Sequence, residues 1–400
     1  MSDGRRPLDG IRVIEVGQLL AGPFAGTLLG YFGAEVIKIE PPGEGDPIRG
    51  WRTLDERGTS WWWYSLGRNK KSVTANLRSA GGRNIVRQLV ETADVLIENF
   101  KPGTMEKWGL GPEVFKATNP GLIYSRISGY GQTGPNAHKP GYASVTEGFS
   151  GFRHLNGFPG EAPVRPNLSL GDTVSGLHAV IGILLAIVGR ERVTKGEGQS
   201  VDVALYESMF NLMEGVLPEY SGADQVRGAS GTTITGIVPT NTYACADGKY
   251  VVIGGNGDSI FIRLMQAIGR SDIGTDPACA DNKGRVQHQA RIDKAIDTWT
   301  RAHTAAQVMA SLEAVDVPVG LIYSIEDAVH DPHYQARGMF ETVDTPSGAL
   351  AIPAILPKLE LTPGRTDWAG PEVGVDTDTV LGQLGLGADE IARLRSNGDI

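Results

Sequence analysis

Short aliphatic runs and longer helix-compatible stretches take turns along the first 210 residues. IRVIEVG (11–17) and AEVIKIE (34–40) are rich in β-branched residues and bounded by turn formers, which predicts buried strands. Between them lies QLLAGPFAGTLLGYFG, with Pro23 placed near a helix start. A strand, a helix and a strand at that spacing predict a βαβ crossover, and so a parallel sheet. The alternation returns in NIVRQLVETA, a helix pattern, and in DVLIENF, a strand pattern ending at Asn99 and Phe100. GLIYSRISGYG adds a further strand with a glycine-rich exit. GLHAVIGILLAIVG (176–189) is apolar on every side, which predicts a buried helix. It is shorter than the roughly 18 apolar residues of a membrane span. GEGQSVDVALYESMFNLM then predicts a strand followed by a helix.

Beyond residue 210 the pattern weakens. Residues 211–235 are irregular and read as a linker. Residues 236–330 mix short strand and helix patterns, which predicts a smaller α+β domain. ALAIPAILPKLEL predicts late strands, and DEIARLRSNG a terminal helix. A length of 400 residues fits about two domains. The fold class is therefore α/β, a parallel-sheet large domain with a smaller α+β domain.

Composition narrows the function. With 37 basic and 46 acidic side chains the chain carries a formal charge of −9, against a general nucleic-acid binder. Two cysteines, Cys245 and Cys279, build neither a disulfide framework nor a cysteine-rich zinc site. They fit a reducing compartment. The start MSDGRRPLDG has no apolar run behind its arginines, so a cytoplasmic location is expected, with no membrane partner. The seven histidines show no metal-ligand spacing, and no metal is expected. The turn VGQLLAGP lacks the G-x-G-x-x-G of a dinucleotide site. No phosphate loop or G-x-S-x-G elbow occurs either.

In parallel sheets ligands bind beyond the carboxyl ends of strands. Gly17, Glu40, Asn99 and Ser128 fall near such ends. In NLSLGDTVSG the one charge is Asp172, directly before the apolar helix. By itself it reads first as an N-cap, and only second as a reactive carboxylate, whose ionised, attacking form a helix N-terminus would stabilise. GGNG, made of Gly254, Gly255, Asn256 and Gly257, is either an oxyanion-binding loop or an ordinary strand–turn–helix junction. The basic cluster RNKKS, with Lys70 and Lys71, is either a phosphate contact or a solvated face.

Singly these signals are weak, but their order along the chain is specific. PLDGIRVIEVGQLLAGP, GAEVIKIEPPGEGDPIRGW, NKKS, VLIENFKPG, GYGQTGP, LGDTVSG and GQSVDVALYES occur in the sequence in which the class III CoA-transferases carry their counterparts, and the chain resembles that family over nearly its whole length. The resemblance implies a Rossmann-like large domain built from both ends of the chain, with residues 331–400 returning to complete it, and two subunits interlocked as a homodimer. It implies acyl-CoA and a free carboxylic acid as substrates, with coenzyme A as the carried group and no permanently bound cofactor. Asp172 matches the family's catalytic aspartate, which forms a mixed anhydride and then an aspartyl-CoA thioester.

The resemblance also implies positions for coenzyme contacts. Leu19 and Ala21 match residues beside the CoA chain, Leu20 between them stands where formyl-CoA transferase has a glutamine, Asn99 and Phe100 match the ENF segment, and Ala75 is grouped with them. Lys107 stands where an arginine meets phosphate, so charge is kept without the fork. Pro41 replaces a second arginine, for which Arg49, Lys70 or Lys71 compensate. Lys139 lies near another family cation. Tyr142 is followed by Ala143, where many members have an acidic residue, and it stands where related racemases have a histidine, which favours transfer over racemisation. Arg165 is either a fork for a distal carboxylate or a surface salt bridge. The pattern is closest to members that use succinyl-CoA and a dicarboxylic acid. A CoA-ester racemase or isomerase and a silent acyl-CoA-binding dimer are the alternatives.

Overall fold

Six strands assemble into one parallel sheet: β1 Arg12–Glu15, β2 Glu35–Glu40, β3 Lys70–Thr74, β4 Val95–Glu98, β5 Ile123–Ser128 and β6 Ser200–Ala204. Their order is β3-β2-β1-β4-β5-β6 in a computed structural model that describes residues 4–400. Residues 1–3, the head of the stretch read for targeting signals, lie outside it. From β1 the chain moves to one side, and from β4 to the other. The turns after β1 and β4 therefore diverge and leave a crevice at the carboxyl ends of the strands, the place where such sheets take ligands.

The two faces of the sheet follow from the period of two along each strand. Ile14, Leu96 and Tyr124 face one cluster, together with Leu89 and, from the far end of the chain, Leu381. Val13, Ile97 and Ile123 face the other, which holds Ala179 and Ile183 of the helix Leu170–Arg192. That helix is long and apolar enough to span a membrane, yet it runs against the sheet and against the helix Ala21–Tyr31. At Gly176 the two helices touch: a Cβ there would stand 3.0 Å from the Ala21 carbonyl oxygen and 2.9 Å from Phe24. Only glycine allows so close a crossing.

Residues up to Phe152, Pro166–Glu214 and Ala336–Ile400 form one compact unit around this sheet. The last segment adds the hairpin β10 Phe340–Thr345 and β11 Gly348–Pro353, then runs along β3. The Ser72 N–H donates to Asp376 Oδ2 at 2.9 Å, and the Asp376 N–H donates back to the Ser72 carbonyl at 3.0 Å. The Thr74 N–H donates to Thr377 Oγ1. No strand continues through 354–361, where the sequence pattern predicted one, because β11 ends at Pro353 and a second proline follows at 357.

A second unit comprises Arg153–Arg165 and Gly215–Gln335. Its sheet is antiparallel, in the order β7-β8-β9, from β7 Thr240–Ala244, β8 Tyr250–Gly254 and β9 Val319–Leu321. Helices close over it around Val251, Ile253, Phe261 and Leu264. Two details differ from the sequence reading. The stretch read as an irregular linker contains a helix, Val216–Ala223, and residues 153–165 group with this second unit.

Candidate active site

The turn after β1 is built from hydrogen bonds that use nearly all its backbone. The Gln18 N–H donates to Asn99 Oδ1 at 2.8 Å, and Asn99 Nδ2 donates to the Gln18 carbonyl at 2.7 Å. The Leu19 N–H donates to both carboxylate oxygens of Asp46, at 3.1 and 3.2 Å. Lys38 Nζ donates to the Gly17 carbonyl at 3.0 Å. These bonds hold Leu19 at φ +64, a left-handed conformation that a γ-branched residue seldom adopts. Gly17 is required for the clamp, since a Cβ there would stand 2.8 Å from Asn99 Oδ1. Leu20 and Ala21, the next two residues, are buried.

Beneath this turn lies a charge cluster that the sheet encloses. Glu15, Lys38, Lys70, Asp46, Glu40 and Arg49 are all buried. Lys38 Nζ reaches Glu15 Oε1 at 3.0 Å and Asp46 Oδ2 at 2.7 Å. Lys70 Nζ reaches Glu15 Oε2 at 2.8 Å and the Pro23 carbonyl at 2.6 Å. Burial raises the Glu15 carboxyl, but Lys70 and Lys38 outweigh it and hold the group below the usual carboxylate range. Burial depresses Lys38, but Asp46, Glu15 and Glu40 outweigh it and hold the ammonium above the usual lysine range. At Lys70 burial wins over Glu15, and the ammonium is pushed down to about 8.

This geometry corrects three assignments. Lys70 is fully enclosed, so it is no phosphate contact. Arg49 forks Glu40, with Nε at 2.8 Å and Nη2 at 2.6 Å, stacks 3.8 Å over the Trp63 ring, and donates to the Pro371 carbonyl. All its hydrogen-bonding capacity in that direction serves the fold. Lys71 pairs with Glu35 at the start of β3, at the amino end of the sheet. It lies about 13 Å along the strand from Ala75, given some 3.3 Å per residue. Ala75 itself is at the carboxyl end and buried. The alternation of the strand explains the pair: Lys70 turns inward, Lys71 outward.

Other assigned positions remain accessible. Lys107 and Lys139 are exposed, and Tyr142 is 72% exposed just before the short helix Ala143–Phe149. Phe100 packs edge-on to Trp108 at 5.1 Å, and its N–H donates to Glu98 Oε2 at 2.8 Å. Glu98 also receives Arg126 Nε at 3.0 Å. Burial raises its carboxyl to about 7, against Arg126 and the Phe100 amide. The Asn99 amide is spent on Gln18, so its side chain shapes the turn.

Asp172 is not the N-cap of the long helix. Ser169 holds that position, with no side-chain cap bond, and Asp172 stands in the first turn, half-buried. The preceding residue, Gly171, donates its N–H to Oε1 of the buried Glu147 at 3.3 Å. In the second unit, Gly254 and Gly255 donate their N–H groups to the Pro318 and Pro239 carbonyls, which leaves them no role as oxyanion donors. Asn256 is exposed, and its carbonyl accepts from Arg285 Nη2 at 2.8 Å. Gly257 caps the helix Asp258–Ala267. Arg165 belongs to this unit and is exposed.

The description of CoA-transferase family III matches residues 8–377. The chain belongs to that family. It is 44% identical to succinyl-CoA–D-citramalate CoA-transferase of Chloroflexus aurantiacus over 98% of this chain and 97% of the relative. It is 42% identical to the succinyl-CoA–L-malate CoA-transferase alpha subunit of the same organism, over 98% of this chain and 92% of the relative. Among solved structures, a CaiB/BaiF family protein of Brucella suis superposes with a TM-score of 0.84 at 33% identity, covering 95% of this chain and all of that one. The chain is accordingly a CoA-transferase enzyme of the α/β class. Sequence reasoning missed Lys38, Asp46, Glu147, Arg126 and Arg285. The signal for Lys38 was present: a lone lysine inside AEVIKIE has to find buried partners.

Proposed function

We propose that this chain transfers coenzyme A from succinyl-CoA to a short dicarboxylic acid, with Asp172 carrying each group in turn. The substrate class rests on one observation: full-length relatives that share succinyl-CoA as donor and take malate-like acids as acceptors. The nucleophile rests on the placement of Asp172 in the first turn of the long apolar helix, where the macrodipole favours the carboxylate. Its oxygen attacks the thioester carbon, the C–S bond breaks, and CoA thiolate leaves a succinyl–aspartyl anhydride. The thiolate then attacks the Asp172 carbonyl carbon and expels succinate, leaving an aspartyl-CoA thioester. The acceptor carboxylate attacks that thioester and forms a second anhydride. Attack by the released thiolate on the acceptor's acyl carbon restores the Asp172 carboxylate. Each step exchanges one activated acyl bond for another, so water has to be kept out.

Coenzyme contacts belong at the divergent turns, around Leu19–Ala21 and Asn99–Phe100, with Lys107 and Lys139 as the accessible cations. We also infer a homodimer. Leu177, Ile181, Leu184, Leu185 and Val188 of the long helix are 38–67% exposed at helical spacing, a stripe that a second copy of the chain would cover.

The decisive experiment incubates the enzyme with succinyl-CoA and hydroxylamine, then maps the modified residue by mass. Hydroxamate at Asp172, and total loss of transfer in Asp172→Ala with the fold retained, are the expected results. Exchange of the α-hydrogen with solvent, without hydroxamate, would instead favour the racemase. A panel of free acids, with product CoA esters identified by mass, names the acceptor.

A further inference from the structure

The start of the long helix is held from outside. Its first turn presents amides with no intrahelical acceptor, and Ser169, at the cap position, supplies no side-chain bond. The acceptor comes from the helix Ala143–Phe149 instead: Glu147 Oε1 takes the Gly171 N–H at 3.3 Å. Glu147 is wholly buried, which is costly for a carboxylate unless it is engaged. Its negative charge lies at the positive end of the helix, where the macrodipole offsets part of that cost.

Gly171 is the residue that permits this contact. A Cβ on it would stand 3.2 Å from the Ala143 Cβ, 3.4 Å from the Glu147 Cγ and 3.5 Å from the Glu147 Oε1. Any side chain there presses the short helix outward. The first turn also has a second tie, since Ser175 Oγ donates to the Gly171 carbonyl at 2.7 Å. The peptide units on both sides of Gly171 are therefore pinned, and the direction of the next Cα–Cβ bond, that of Asp172, is set with them.

We propose that Glu147 is a positioning residue for the transfer reaction: it fixes the first turn of the long helix and so aims the Asp172 carboxylate at the acyl carbon. This rests on the reading of Asp172 as nucleophile. Glu147 touches neither substrate nor the reacting atoms in this role. Its effect belongs to kcat, because misaiming a nucleophile by about 1 Å costs up to about 100-fold in rate without altering the remote contacts that bind the coenzyme.

The test compares Glu147→Ala, Glu147→Gln and Gly171→Ala, with Asp172→Asn as reference. Rates are taken per folded enzyme, well below each melting temperature. Glu147→Ala is expected to lower kcat by about 10- to 100-fold while KM for succinyl-CoA stays within about threefold. Glu147→Gln keeps an oxygen acceptor for the Gly171 N–H and is expected to recover most of the rate, which a loss of burial alone would not give. Gly171→Ala, with Glu147 intact, is expected to lower kcat in the same way, and it decides the matter if Glu147→Ala fails to fold. A kcat within twofold of the parent in Glu147→Ala, or in Gly171→Ala where the former is unfolded, overturns the proposal provided Asp172→Asn is inactive. Substantial transfer by Asp172→Asn overturns the nucleophile reading itself, a separate outcome.

Discussion

Replacing Lys38 by methionine is the sharpest probe of the charge cluster beneath the turn after β1. Methionine nearly matches the length of lysine and fills the space without a charge. Lys38 Nζ serves three acceptors: Glu15 Oε1 at 3.0 Å, Asp46 Oδ2 at 2.7 Å and the Gly17 carbonyl at 3.0 Å. The cluster of three carboxylates and three cations then carries one uncompensated negative charge in a region closed to water. Glu15 keeps Lys70, and Asp46 keeps the Leu19 and Ile48 amides, so the loss is partial. Breaking a buried pair by removing one partner costs about 3–5 kcal/mol, and about 4 kcal/mol is the expectation here. Denaturant unfolding followed by tryptophan fluorescence measures it, with hydrogen exchange at Gly17–Leu20 reporting the turn. Adding Glu15→Gln restores neutrality, so the double variant is expected to be more stable than the sum of the single losses by at least about 1 kcal/mol. A loss below about 1 kcal/mol for Lys38→Met, or strict additivity with Glu15→Gln, would refute this account of the cluster.

Glu98→Gln is expected to flatten part of the pH dependence of stability. The folded carboxyl titrates at about 7, above the roughly 4.3 of an unfolded glutamate, so its contribution is complete below about pH 4 and disappears as pH rises through 7. Relative to wild type the variant gains between pH 5 and 8, by up to about 3 kcal/mol, read by denaturant unfolding at both values. Ile181→Glu places a charge on the exposed apolar stripe and, on the proposed homodimer, is expected to shift a dimer to monomer in analytical ultracentrifugation, with loss of transfer. A dimer that survives the substitution places the subunit contact elsewhere.

How much of this was legible in the residues depends on whether the deciding partner is local. The strands β1 and β2 follow from their aliphatic runs, and the crossover between them follows from spacing. Lys70 and Lys71 are neighbours of identical chemistry, and only the register of β3 against β2 sends one to Glu15 and the other to Glu35. Asp172 was conspicuous as the lone charge before an apolar run. Whether it capped the helix or stood within it turned on a shift of a few residues, which propensity does not resolve. Glu147 carried no signal, because its contact with Gly171 spans 24 residues and depends on how two helices meet. The composition of the chain and the order of its motifs revealed the chemistry; the electrostatics that hold the turn after β1 required coordinates.

The bond between Ser72 and Asp376 joins residues 304 positions apart, and it closes the outer edge of the sheet. At about 5–20 residues per second of synthesis, β3 waits roughly 15–60 s on the ribosome before that guard exists. Throughout the interval its outward amides and carbonyls are an open template for another strand. Removal of the final 25 or so residues, by early termination or proteolysis, would uncover the stretch of β3 around Ser72 and Thr74 again and turn a finished enzyme into a seed for edge-to-edge aggregation.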